Sequence, residues 1–105
     1  MAIVKSKKIW WTPITGSDVT GYRVYVAPAG TAFATTLQNI TVGAGVSFVV
    51  VPDAFPAGTF VEEADYTVWI VSIDDSGNES DPFVLTGHFD FQPPPKVAEA
   101  GISDL

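Results

Sequence analysis

The densest run of oxygen-bearing side chains is residues 74–81, Asp-Asp-Ser-Gly-Asn-Glu-Ser-Asp. Clustered carboxylates suit a hard cation such as calcium, but the calcium-loop pattern alternates its acids before a glycine and places a glutamate well after it. Asp74 and Asp75 are instead adjacent, with Gly77 just beyond Ser76. The same letters build a tight turn, in which glycine takes positive φ and Asn or Asp tolerates it, and a turn is the expectation. Glu62 and Glu63 are also adjacent, so they do not flank one sugar bond as paired glycosidase acids must. They are expected to be a solvated pair of loop charges. His88 is the single histidine, expected on the outward face of a strand, and a lone imidazole makes neither a triad nor a zinc site. Cysteine is absent, which removes thiolate metal sites and disulfides. There is no glycine-rich phosphate cradle. The expectation is a non-enzymatic chain with no metal and no cofactor. Asn39-Ile40-Thr41 and Asn78-Glu79-Ser80 have the glycosylation pattern, which carries weight only in a secreted chain.

With 105 residues the chain is large enough for one core and too short for two. Aromatic and β-branched residues abound and long helix-forming runs are missing, which favours an all-β fold. The net charge is -7, and three of the five basic residues, Lys5, Lys7 and Lys8, sit together near the start. An acidic body repels phosphate backbones and anionic lipid, so nucleic acid and membrane surfaces are not expected as partners. No apolar run approaches the ~20 residues of a membrane span. The lysine-bearing start lacks the apolar core of a secretory signal. Taken as a native start, it predicts synthesis in the cytosol; taken as a piece of a longer secreted chain, an extracellular location.

Period-two alternation places the strands. Residues 66–73 put Tyr66, Val68 and Ile70 on one face and Trp69, Val71 and Ile73 on the other, and the turn at 74–81 follows. Residues 3–11 form a first strand with Trp11 inward, ended by Thr12-Pro13 because proline removes a donor. Residues 21–27 alternate Tyr22, Val24 and Val26 against Arg23 and Tyr25. Residues 37–42 make a weaker strand, and residues 46–51 another, closed by Pro52-Asp53. A loop at 54–65 exceeds the usual ~4 to 6 residues and is a candidate interaction loop. Residues 83–91 form the last strand, with Phe83, Leu85, Phe89 and Phe91 in phase. Pro93, Pro94 and Pro95 end the sheet, so the chain divides into a domain at 1–92 and a proline-led arm at 93–105.

Taken in order over residues 9–91, these elements resemble a fibronectin type III domain, a two-sheet immunoglobulin-like sandwich. Trp11-Thr12-Pro13 is similar to the family's inward tryptophan and following turn, residues 21–26 to its next strand, and residues 66–82 to its penultimate strand and glycine turn. Tyr66 takes the place of the tyrosine corner. The resemblance implies an antiparallel β-sandwich. The integrin-binding Arg-Gly-Asp that the family can carry is absent. In two respects the chain departs from the pattern: an insertion separates residues 55–58 from Tyr66, and only ten residues precede Trp11, leaving the family's first strand very short or missing. A missing edge strand would leave the backbone of residues 4–10 unpaired, which soluble proteins normally blunt or cover. Either the segment after Pro95 of a neighbouring copy or a strand of another protein could complete the sheet; the plain alternative is a flexible terminus.

Outward aromatics supply the remaining candidates. Trp10, Tyr25, Trp69, Val71 and Ile73 are expected to point away from the core, with Tyr25, Trp69 and Val71 contiguous on one sheet, a patch of the kind that marks interfaces. Val97, Ile102 and Leu105 are the apolar members of the arm. Together they predict a structural or interaction subunit of a larger assembly, self-assembling or docking on another protein, with no small-molecule ligand. By analogy, the specific form is a capsid decoration or tail-associated protein of a phage virion or virus-like particle. The alternative is a spacer module of a secreted polysaccharide-degrading or adhesion protein. A carbohydrate-binding module stacking sugars on Trp10 or Trp69 is a third class.

Overall fold

The computed structural model describes residues 4–15 and 18–104. The expected first strand's opening at residue 3, the loop residues Gly16 and Ser17, and the arm's Leu105 lie outside the described residues. Six strands and no helix occur among those described: β1 (Lys7–Trp10), β2 (Val19–Pro28), β3 (Gln38–Gly43), β4 (Phe48–Val51), β5 (Ala64–Asp74) and β6 (Phe83–Phe89). They form two antiparallel sheets, β1-β4 and β3-β2-β5-β6, packed as a β-sandwich. The all-β expectation holds.

The core follows from the alternation. Tyr22, Val24 and Val26 of β2 and Tyr66, Val68 and Ile70 of β5 face inward and are buried. Their register sets Val24 opposite Ile70 and Val26 opposite Val68. The small sheet contributes Ile9, Val49 and Val51 from the other side. Burying side chains of this size stabilises by roughly 1.5–3 kcal/mol each. β1 is shorter than expected because it begins only at Lys7, with residues 4–6 outside any strand; its end falls before Pro13 as expected, where Trp11 donates its backbone N–H to Ser47 O at 3.0 Å. The Trp11 and Tyr22 rings lie 5.4 Å apart.

The long loop before β5 is a structural element. It sends Phe55 and Phe60 into the core, and the Phe60 ring sits 5.0 Å from Tyr66, 5.2 Å from Phe91, 5.5 Å from Phe89 and 5.7 Å from Phe55, edge to face in every case. The Tyr66 hydroxyl donates to Glu62 O at 2.9 Å, tying the loop's end to the start of β5. At the other end of β5 the acidic run forms a turn. Asp74 Oδ1 accepts the N–H groups of Ser76 and Asn78 at 2.9 and 2.8 Å, and Gly77 takes φ +84°. Hydrogen bonds, first among them that from the Asn78 side chain, hold the Asp74 carboxyl below its ordinary range.

Residues 92–104 are all exposed and form no strand. The longest strand, at ~3.4 Å per residue, accounts for roughly half of the 71 Å long axis, against 27 and 19 Å for the others. The arm therefore projects from the body.

Candidate functional site

The candidate residues divide into two groups. Tyr25, Trp69, Val71 and Ile73 lie on the outward face of the four-stranded sheet, as their phase requires, but exposure is where the expectation fails. Tyr25 and Val71 are each 1% exposed, Trp69 5% and Ile73 9%. The cover comes from the connection between β2 and β3. Phe33 packs edge-on against Tyr25 at 5.0 Å and tilted against Trp69 at 5.6 Å, while Leu37 packs against the same cluster. Ile73 is bridged to Glu79 where the turn folds back. This is a second small core, and its side chains are already occupied within the chain.

A polar clamp secures that face. The Tyr25 hydroxyl lies 2.9 and 2.8 Å from the two Glu79 carboxylate oxygens, and Arg23 forms an ion pair with the same carboxylate. Burial, followed by the hydrogen bond to Glu79, pushes the Tyr25 hydroxyl up from its ordinary pKa. Glu79 is thus more than a turn residue: it gives the buried phenol an acceptor.

Trp10 belongs to the second group. It is 66% exposed on the outer face of the small sheet, paired across strands with Phe48, and Lys8 Nζ lies 5.3 Å from the centre of the Phe48 ring. Val97 and Ile102 are 77% and 103% exposed on the arm.

What phase alone does not show is that the two sheets differ in width. Among the described residues two strands face four, and the cover over β6 is partial: Phe89 joins the core while the Phe83 end is left open. Phe83 shares the inward phase of Leu85 and Phe89, and stands opposite the core residue Ile70, yet it is 71% exposed. A groove of about 690 Å3 runs between the open side of β1 and the inner face of β6, with Ile9 and Trp11 on one wall and Phe83, Leu85, Gly87 and Phe89 on the other. Trp11 also carries an indole N–H that is buried with no acceptor among the described residues.

The edge of β1 is competent to pair. In an antiparallel ladder, residues that exchange hydrogen bonds with one neighbour alternate with residues that point their N–H and C=O the other way. Trp11 bonds toward β4, so Ile9 and Lys7 do also, and Lys8 and Trp10 direct their backbone groups outward. Val50, opposite Lys8, behaves accordingly: its C=O points away from β1 and accepts the Ala54 N–H at 2.9 Å. On its outer side β1 has no paired strand among the described residues.

His88 lies on the outward face of β6 as expected, with company that the spacing did not reveal. Asp65 is its cross-strand partner, 2.8 Å from Nδ1, and Glu63 is 2.9 Å from Nε2. These hydrogen bonds, Glu63's foremost, hold the imidazole above its ordinary pKa of about 6.5. A raised folded-state pKa means that the contribution to stability is complete below the ordinary value and is lost as pH rises through the raised one. Substituting His88→Gln is therefore expected to lower the melting temperature more on the acid side of that window than on the alkaline side. NMR titration of wild type should show the imidazole titrating late.

Among the described residues no group of three or more His, Cys, Asp or Glu side chains could hold a metal ion. No helix among them is long and apolar enough to cross a membrane. No protein-family model matches the chain, and no curated protein matches it.

Proposed function

We propose that this chain is a non-enzymatic building block that takes a partner's extended strand along the open edge of β1, over the β6 groove. The observation that carries this reading is Phe83, a core-phase side chain at 71% exposure. An unpaired strand edge is a template for another strand, and a groove with alternate apolar positions beside it gives such a strand specificity. The fibronectin type III resemblance supports the same reading, since the first strand it leads one to expect would lie at this edge. So does the Tyr66 hydroxyl, hydrogen-bonded to the backbone four residues upstream as in a tyrosine corner. Decoration of a phage or virus-like particle is the specific setting proposed by analogy with sandwich domains that serve there.

Phe83→Ser tests the reading. Because Phe83 packs little in the isolated chain, its loss is expected to change stability by only about 0.5 kcal/mol, read by thermal melting. In light scattering over rising concentration, wild type should exceed its 11.2 kDa monomer mass and the variant should not. A wild-type mass fixed at the monomer value removes copies of the chain as partner. Equal association of wild type and variant removes the groove as the docking surface.

A further inference from the structure

Building on that reading, we infer that the strand received by β1 is residues 96–104 of a second copy of this chain. Geometry argues against the chain's own arm. The Trp11 end of β1 lies by Tyr22, whose partner Ser72 is two residues from the Ile70–Phe83 pair. The Lys7 end pairs with Val51, which leads into the aromatic cluster of Phe55, Phe60, Phe89 and Phe91. β6 thus runs opposite to β1, and the chain leaves Phe91 at the end where β1 begins. To lie along its own β1, the arm would have to reverse at once through Pro93, Pro94 and Pro95. Consecutive prolines favour an extended helix of about 3.1 Å per residue, which carries the arm outward instead.

The arm has what the groove asks for. In an extended conformation Ala98, Ala100 and Ile102 share one face, an apolar stripe bounded by Lys96 and Asp104, with a large side chain, Ile102, to set against the apolar wall that includes Phe83 and Leu85. The opposite face holds Glu99, Gly101 and Ser103 beside Val97. At ~3.4 Å per residue, nine residues span roughly 30 Å, longer than either β1 or β6. Charge points the same way. The receiving edge carries Lys5, Lys7 and Lys8 in a chain of net charge -7, whereas residues 96–104 hold one lysine against Glu99 and Asp104. The lysine edge is the basic strip on an acidic body, so an acidic strand is drawn there and repelled elsewhere. An arm from one copy seated in the groove of the next is a head-to-tail contact, which closes into a ring or continues as a filament.

Two full-length variants break the contact from opposite sides. Ile102→Asp spoils the donor and, lying on an exposed arm, leaves the body intact. Lys8→Pro spoils the acceptor by removing an N–H directed away from β4. Sedimentation velocity should show wild type associating, each variant alone weakened by about tenfold or more, and a one-to-one mixture of the two recovering a dimer and nothing larger. Recovery in the mixture is independent of whether either variant is slightly destabilised. An Ile102→Asp chain that associates like wild type, or a mixture that stays monomeric, overturns the assignment of the arm. If Ile102→Asp associates as wild type does while Phe83→Ser does not, the groove reading stands and only the donor is wrong.

Discussion

Replacing Phe60 by alanine is expected to lose about 3 to 5 kcal/mol of stability, a large part of the 5 to 15 kcal/mol typical of a domain. Phe60 comes from a loop, but its ring is 7% exposed and meets four other aromatic rings at edge-to-face angles. Each such pair adds about 0.5 to 1.5 kcal/mol beyond its buried area. Truncation leaves a cavity bounded by Phe55, Tyr66, Phe89 and Phe91, held apart by two strand ends and a loop that cannot all collapse inward. Without cysteine, no disulfide limits the damage. Urea unfolding should give a midpoint far below wild type. A midpoint within about 0.5 kcal/mol of wild type, the range of ordinary surface changes, would show that the loop is not part of the core.

Trp69→Ala is expected to lose a similar amount, about 3 to 5 kcal/mol, although Trp69 faces away from the main core. Its 5% exposure and its contact with Phe33 make it the centre of the second cluster. Its directly opposed partner Tyr25 carries the hydroxyl that Glu79 accepts. The substitution opens the space beneath the β2–β3 connection and loosens the surroundings of a buried phenol, whose hydrogen bond has a partner only while the turn stays folded back. Unfolding measured by denaturant separates the two roles this residue could play. A docking anchor would leave the isolated chain's stability nearly intact on truncation, whereas a member of a core cannot.

That contrast also shows what sequence patterning can and cannot reach. Phase is local: alternation put Tyr22, Val24 and Val26 inward and Tyr25 and Trp69 outward, and the registers agree. Exposure is not local. The residues that cover Tyr25 and Trp69 are Phe33 and Leu37, in a connection without periodicity, so nothing in the strand pattern announced them. The groove is the converse case. Phe83 keeps step with Leu85 and Phe89, which reads as core, but burial on an inner face requires an opposing strand, and β1-β4 supplies two strands against four. The contacts of His88 with Asp65 and Glu63 depend on cross-strand register across 23 and 25 positions, which no spacing rule encodes. Glu79, absorbed into turn chemistry by its neighbours, reaches Arg23 and Tyr25 only because the turn folds back over the sheet.

Amide hydrogen exchange at Lys8 and Trp10 bears most directly on the open edge of β1. In dilute solution both amides should exchange far faster than those of Ile9 and Val49, which lie in the β1–β4 ladder, and they should become protected as concentration brings in a second copy. Strong protection of Lys8 and Trp10 already present in the dilute monomer would contradict the account, because the edge would then be sealed by the chain itself.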